Sequence, residues 1–208
     1  FASLGNEETC TGDSARRMGN EYLFQTMATK NKETFDQYKF KKIVTQCPHC
    51  FTTLKNDYAE MGINLDVMHH SQYIDELIKE KKINPAPWVD EDITFHDPCY
   101  LGRHNDEYDA PRNVLQSVLR DGTIKEMEQS KEKSFCCGAG GGNMWYEIKK
   151  GERINQNRVK QAVETKAKTV AAACNFCNIM LEDGVKTTDN DANINVLDIA
   201  EMVSKGLK

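Results

Sequence analysis

Short apolar runs alternate with amphipathic stretches along this chain, and they fall in matched positions. Lys42-Ile43-Val44-Thr45-Gln46 and Thr169-Val170-Ala171-Ala172-Ala173 each have the length and apolar centre of a buried strand. Each leads into a Cys-x-x-Cys, then into a helical stretch (residues 51–60 and 178–183) that a glycine closes, Gly62 and Gly184. A second strand-like run follows in both places, Ile63-Asn64-Leu65-Asp66-Val67 and Ile194-Asn195-Val196-Leu197. Amphipathic helices over residues 71–82 and 199–206 close the two sets. Upstream, the pattern predicts helices over 15–29, 143–149 and 153–168, while residues 1–4 read as the tail of a strand. With Phe1 in place of a start methionine, the expectation is a piece of a longer polypeptide.

This alternation predicts an α/β protein of mostly parallel sheets covered by helices. The two Cys-x-x-Cys pairs are 127 residues apart, too far for a solenoid repeat, and read as an internal duplication. The segment 79–87, with Pro85 and Pro87, is the expected joint. Residues 1–83 would be the truncated, degenerate first half and 84–208 the complete second half. In such folds ligands gather at the carboxyl ends of strands, where both cysteine pairs sit.

Composition narrows the function. With 39% apolar and 28% charged residues in 208, this is an ordinary globular chain with ample core. A net charge of −5 and the lack of a basic run exclude nucleic acid as a partner. No apolar run approaches the roughly 20 residues of a membrane span. The lysine-bearing segments 32–42 and 79–82 read as solvated faces, and His69-His70 has no partner spacing. Eight cysteines in a Lys/Glu-rich chain of cytosolic character point to metal binding or redox chemistry rather than disulfides.

The cysteines form two sets. In the second half Cys99 is followed after 36 residues by Cys136-Cys137, and after 36 more by Cys174-x-x-Cys177. Thiolates are the soft ligands of iron–sulfur clusters and of zinc. Adjacent cysteines suit a multi-iron centre better than a single ion, and five thiolates are one more than a closed tetrahedral zinc site uses. The first half offers only Cys10, Cys47 and Cys50, with Thr11 where the second of an adjacent pair would stand.

This spacing, with His96-Asp97-Pro98-Cys99-Tyr100-Leu101-Gly102-Arg103 around its first member, closely resembles the cysteine-rich CCG domain. That domain occurs in heterodisulfide reductases, in glycolate and lactate oxidation iron–sulfur subunits and in related oxidoreductases. The resemblance implies a [4Fe–4S] cluster on Cys99, Cys136, Cys137, Cys174 and Cys177, of the non-cubane kind that five-cysteine motifs carry in heterodisulfide reductases. It leaves open a second cluster on Cys10, Cys47 and Cys50.

Two further stretches, Ser14-Ala15-Arg16-Arg17-Met18-Gly19-Asn20-Glu21 and Cys136-Cys137-Gly138-Ala139-Gly140-Gly141-Gly142-Asn143-Met144-Trp145, resemble a membrane-associated group within the family. Its members accept electrons from electron-transfer flavoprotein and reduce menaquinone. What this implies is an electron-transfer module with electron-transfer flavoprotein or another redox protein as partner. Ferredoxin-type and haem-containing membrane parts would lie upstream, placing the chain at the cytoplasmic face of a membrane. Disulfide reduction at an open iron and a role in glycolate or lactate oxidation are the other enzymatic readings. A zinc-stabilised interaction module is the non-enzymatic one.

Around the cysteines, the run Gly138 to Gly142 lacks the third glycine of a dinucleotide loop, which Asn143 replaces. Gly138, Gly140 and Gly141 are better read as letting backbone N–H groups approach cluster sulfurs. Five thiolates on a core of roughly +2 leave about −3 to be stabilised. His96, Arg103 and His104 flank Cys99 as sulfur donors, proton carriers or loop caps. Trp145 and Phe176 would shield the centre or simply pack. His49 is expected exposed at its turn.

Overall fold

The computed structural model describes residues 1–146, 151–188 and 194–207. Its first helix, α1 (Asp13–Arg17), stops where Gly19 turns left-handed at φ +82°. Asn20 then caps α2 (Glu21–Phe35) by accepting from the Leu23 amide at 3.1 Å. The single helix expected over 15–29 is therefore two helices. Residues 1–4 join no strand; the chain makes one 3₁₀ turn at Gly5–Glu7, with no strand of either sheet beside it among the described residues.

Strand β1 (Ile43–Thr45) is β-branched throughout and ends where the Thr45 hydroxyl donates to the Cys47 carbonyl at 2.8 Å. Helix α3 (Pro48–Thr52) starts with Pro48 in its first turn, widens into a π turn over Thr53–Asp57 and runs out through α4 (Tyr58–Glu60). Gly62, at φ +76°, ends it as the sequence suggests. The next strand begins later than expected. Ile63 and Leu65 face the core from an irregular segment, and β2 (Val67–His69) pairs in parallel with the three residues β1 offers, Ile43 to Val67 and Thr45 to His69. Helix α5 (His70–Lys79) is capped by His69 and Gln72.

The second sheet has three parallel strands in the order β3 (Ile93–His96), β4 (Thr169–Ala172) and β5 (Asn195–Asp198). Between β3 and β4 lie α6 (Gly102–Asn105), α7 (Asp109–Gln116), a 3₁₀ stretch at Gly140–Trp145 and α8 (Ile154–Glu164). The helix expected over 143–149 is 3₁₀ in its described part, and 147–149 lie outside the described residues. After β4 comes α9 (Asn175–Thr187), and after β5 comes α10 (Ile199–Gly206), capped by Asp198 and Glu201.

Gly184 does not terminate α9 but lies inside it. A Cβ there would stand 2.8 Å from Val159 Cγ2 and 3.0 Å from the Asn155 carbonyl oxygen, so its role is the close packing of α9 on α8. Val170, Ala171 and Ala172 are fully buried, as a strand covered on both faces requires.

The core lies in two clusters. One runs from Phe24, Phe51 and Tyr58 through Phe95 and Leu115 to Ile199 and Met202, and so ties both sheets together. The joint at 79–87 belongs to this body too: the Ala86 amide donates to the Gly206 carbonyl at 2.7 Å and Trp88 Nε1 to the Met202 carbonyl at 2.9 Å. The second cluster gathers Val159, Val170 and Leu181 around Cys137, Cys174 and Cys177. Burying each large apolar side chain contributes about 1.5–3 kcal/mol, so the thiols sit where packing itself holds the backbone still.

Candidate metal centre

Strands β1, β3 and β4 all deliver cysteines at their carboxyl ends. Cys47 and Cys174 each occupy the N-cap position of the helix that follows, α3 and α9, while Cys50 and Cys177 lie in those helices' first turns. The positive end of the 13-residue α9 favours ionised sulfur at Cys174. Cys99 follows β3 by three residues. Its loop is held by Asp97, which accepts from Arg112 at 2.8 and 3.0 Å and from the Lys131 amide at 2.8 Å. Ser134, donating to the Asp97 carbonyl at 3.2 Å, carries the approach to Cys136 alongside.

All eight cysteines are unpaired thiols, and seven of them form an unbroken line. Cys137 and Cys99 both meet Cys136 and lower it to about 2, Cys137 contributing most. Cys137 itself is pushed up to about 12 by Cys136, and its other face meets Cys177. Cys177 and then Cys47 hold Cys174 well below the usual thiol range. The same contact pushes Cys47 up to about 12, and Cys47 in turn pushes Cys50 up. Cys136 and Cys174 are thus each met by two other cysteine side chains.

The two halves build their cysteine turns alike. Gly138, at φ +95°, donates its amide to Cys136 Sγ at 3.2 Å; Gly12, at φ +90°, donates its amide to Cys10 Sγ at 3.4 Å. Only glycine adopts that backbone without strain. Thr11 stands where Cys137 stands in the second half, and its hydroxyl donates to Cys50 Sγ at 3.6 Å, as Cys137 meets Cys177. Cys10 lies apart, exposed at the rim, its carbonyl accepting from Asn31 at 2.9 Å.

Other residues fall less as the sequence suggests. His49 is buried, its Nδ1 2.8 Å from Asp13 Oδ2, its ring stacked on Tyr100 at 4.0 Å and edge-on to Phe176 at 5.0 Å. Asp13 also accepts from Arg17 at 3.1 Å and from Thr53 at 3.4 Å. Burial would raise the Asp13 carboxyl, but His49 and Arg17 outweigh it and hold it low. His104 is exposed and stacks on the other side of Tyr100, at 4.4 Å, and Arg103 is exposed. Trp145 lies edge-on to Phe176 at 6.0 Å but is 58% exposed, so it flanks the centre rather than sealing it. Gly142 lets Met18 of the first half approach, whereas Gly140 and Gly141 meet almost nothing.

His96 is fully enclosed at the end of β3, and its ring nitrogen lies with the sulfurs of Cys137 and Cys177 inside a span of 4.8 Å. Arg158 Nε donates to His96 Nδ1 at 3.0 Å. By elimination the ring proton is on Nε2. Burial and then the Arg158 charge hold the imidazole down to about 3, so it is neutral. Such a ring offers a donor, not a lone pair, at its second nitrogen. Arg158 carries no signal as a motif. A helical projection would have flagged it, since Asn155, Arg158, Val159 and Ala162 share the buried stripe of α8.

The donor set of five contacting sulfurs, with one imidazole that presents N–H, fits a thiolate-bound multi-metal centre better than tetrahedral zinc. Two surface hollows, lined by Phe35, Tyr38 and Leu65 and by Tyr22 and Thr29, contain no cysteine. A crevice of about 30 Å³, room for a single water, adjoins Gly138. Among the described residues no helix is long and apolar enough to cross a membrane.

Comparison with known proteins agrees with this geometry. The cysteine-rich CCG domain model matches residues 1–55 and 93–182. The chain is 44% identical over its whole length to the EtfAB:quinone oxidoreductase of Syntrophomonas wolfei, covering 30% of that protein. It is 42% identical to the probable iron-sulfur-binding oxidoreductase FadF of Bacillus subtilis, again along the whole chain and 29% of the relative. Against one of the polypeptides of the dihydromethanophenazine:CoB–CoM heterodisulfide reductase of Methanosarcina barkeri it is 36% identical, covering 51%. The chain therefore spans between 29% and 51% of the length of these relatives. It belongs to the family of cysteine-rich CCG domains found in iron–sulfur oxidoreductases.

Proposed function

We propose that this chain holds a [4Fe–4S] cluster on Cys99, Cys136, Cys137, Cys174 and Cys177 and relays electrons within a larger oxidoreductase. The donor would be electron-transfer flavoprotein and the acceptor a membrane quinone such as menaquinone. Residues 1–83 and 84–208 are read as two related halves, the first with a reduced site at Cys10, Cys47 and Cys50. The observation that carries the proposal is the line of touching thiols, supplied by the carboxyl ends of three strands and by the Cys136-Cys137 turn, five of them in the second-half motif. The Syntrophomonas relative, named for EtfAB and quinone, supports the donor and acceptor.

When bound, the cluster supplies a one-electron acceptor and donor whose potential the surrounding protein tunes. The chain's own residues do the rest. Gly138 turns its amide onto Cys136, α9 points its positive end at Cys174, and His96 keeps a ring nitrogen beside Cys137 and Cys177. The apolar packing of Val159, Val170 and Leu181 keeps water from the buried side.

A second reading, reduction of a disulfide at the centre, is favoured by the 36% identity to a heterodisulfide reductase polypeptide. The two part on access. In the full-length protein, reduced electron-transfer flavoprotein should reduce the cluster, and added thiols or disulfides of coenzyme type should leave its EPR signal unchanged. A thiol-dependent change in that signal would move the assignment to disulfide reduction.

A further inference from the structure

Arg158 is completely buried, yet no carboxylate among the described residues pairs with it. Its Nη1 donates to the Gln129 carbonyl at 2.8 Å and to Gln161 Oε1 at 2.6 Å, its Nη2 to Ser134 Oγ at 3.3 Å and its Nε to His96. Every one of these acceptors is neutral. The acids nearest in effect, Asp97 and Glu126, are both taken up by Arg112, at 2.8 and 2.7 Å.

A buried cation held only by neutral groups is costly unless negative charge lies close by. In this chain one source is the charge left over where Arg112 is shared by two carboxylates, and the other is sulfur. Burial draws the guanidinium down to about 10, and the groups that counter this are Asp97 first and then Cys177 and Cys137. His96 stands between, with Arg158 on Nδ1 and with Cys137 and Cys177 inside the 4.8 Å set.

We propose that Arg158 is the buried counter-charge of the thiolate-held centre, and that by fixing His96 with its proton on Nε2 it keeps that ring a donor to the centre rather than a ligand of it. Arg158 is thus a positioning residue that also sets potential. Adding an electron makes the centre more negative, and a nearby positive charge favours that step. The inference rests on the iron–sulfur reading of the thiols.

The test is an EPR-monitored reductive titration of the anaerobically prepared full-length protein with dithionite. Arg158→Gln should make the midpoint potential of this cluster more negative. Arg158→Lys, which keeps the charge but not the fork, should restore most of the shift. A purely structural arginine predicts that Lys and Gln behave alike, and equal potentials in the two variants overturn the proposal. Loss of the cluster in Arg158→Gln with retention in Arg158→Lys supports it. Should both lose the cluster, Gln161→Glu decides, because it puts a competing carboxylate on Nη1 at nearly the same volume. A lowered potential there supports the counter-charge and an unchanged one overturns it. Absence of any cluster signal in the parent would instead sink the iron–sulfur reading itself.

Discussion

The side chains of Cys47 and Cys174 meet although 127 residues separate the two cysteines. Each begins the helix after its own strand, in its own sheet, so the contact joins the two cysteine sets edge to edge. Whatever Cys174 holds, the first half supplies its neighbour.

That arrangement ranks the cysteines. Cys137 is buried between Cys136 and Cys177, while Cys10 is exposed and its sulfur accepts from the Gly12 amide. Cys137→Ser should remove or convert the cluster, with most of the iron lost. Cys10→Ser should cost far less. Iron per chain after anaerobic preparation checks this, and equal losses would reverse the ranking.

The glycines of the CCG turn make a second contrast. At Gly138 an added Cβ would lie 3.1 Å from Ile154 Cβ, on a backbone at φ +95°. Gly138→Ala should therefore destabilise by about 1–2 kcal/mol, the cost of a left-handed L-residue, and should turn the amide away from Cys136. At Gly140 nothing lies within 4 Å, and Gly140→Ala should stay within about 0.5 kcal/mol. Urea unfolding of the two variants measures the difference.

The Asp13–His49 pair supports a third. Asp13 is buried and serves His49, Arg17 and Thr53 together. Asp13→Asn leaves buried donors short of an anion and should cost about 1–3 kcal/mol. With His49→Gln in a double-mutant cycle the two losses should fall short of additive, because the residues share one contact. Additive losses would mean the pair is not a unit.

Two of the three strands that deliver the cysteines were legible because local composition decides them: Ile43-Val44-Thr45 and Val170-Ala171-Ala172 leave little alternative to a short buried strand, whereas Ile93–His96 was not singled out. The family spacing implied the five second-half cysteines as one set, and the structure brings their side chains into one run. What escaped depends on distant partners. His49 is buried because Asp13, 36 residues earlier, accepts from it, and Arg158 because His96, 62 residues earlier, does. Gly184 reads as a helix stop in sequence, but its lack of a side chain serves α8. Ile63 to Val67 alternates like a strand, yet β1 is too short to pair with all of it.

The most direct test of the account is the metal itself. Anaerobically purified protein, measured by UV–visible and EPR spectroscopy with iron and acid-labile sulfide counts, should show a broad visible absorption. It should also hold about four irons and four sulfides at the second-half site, the stoichiometry of the cluster type. A colourless protein carrying zinc in their place would contradict it.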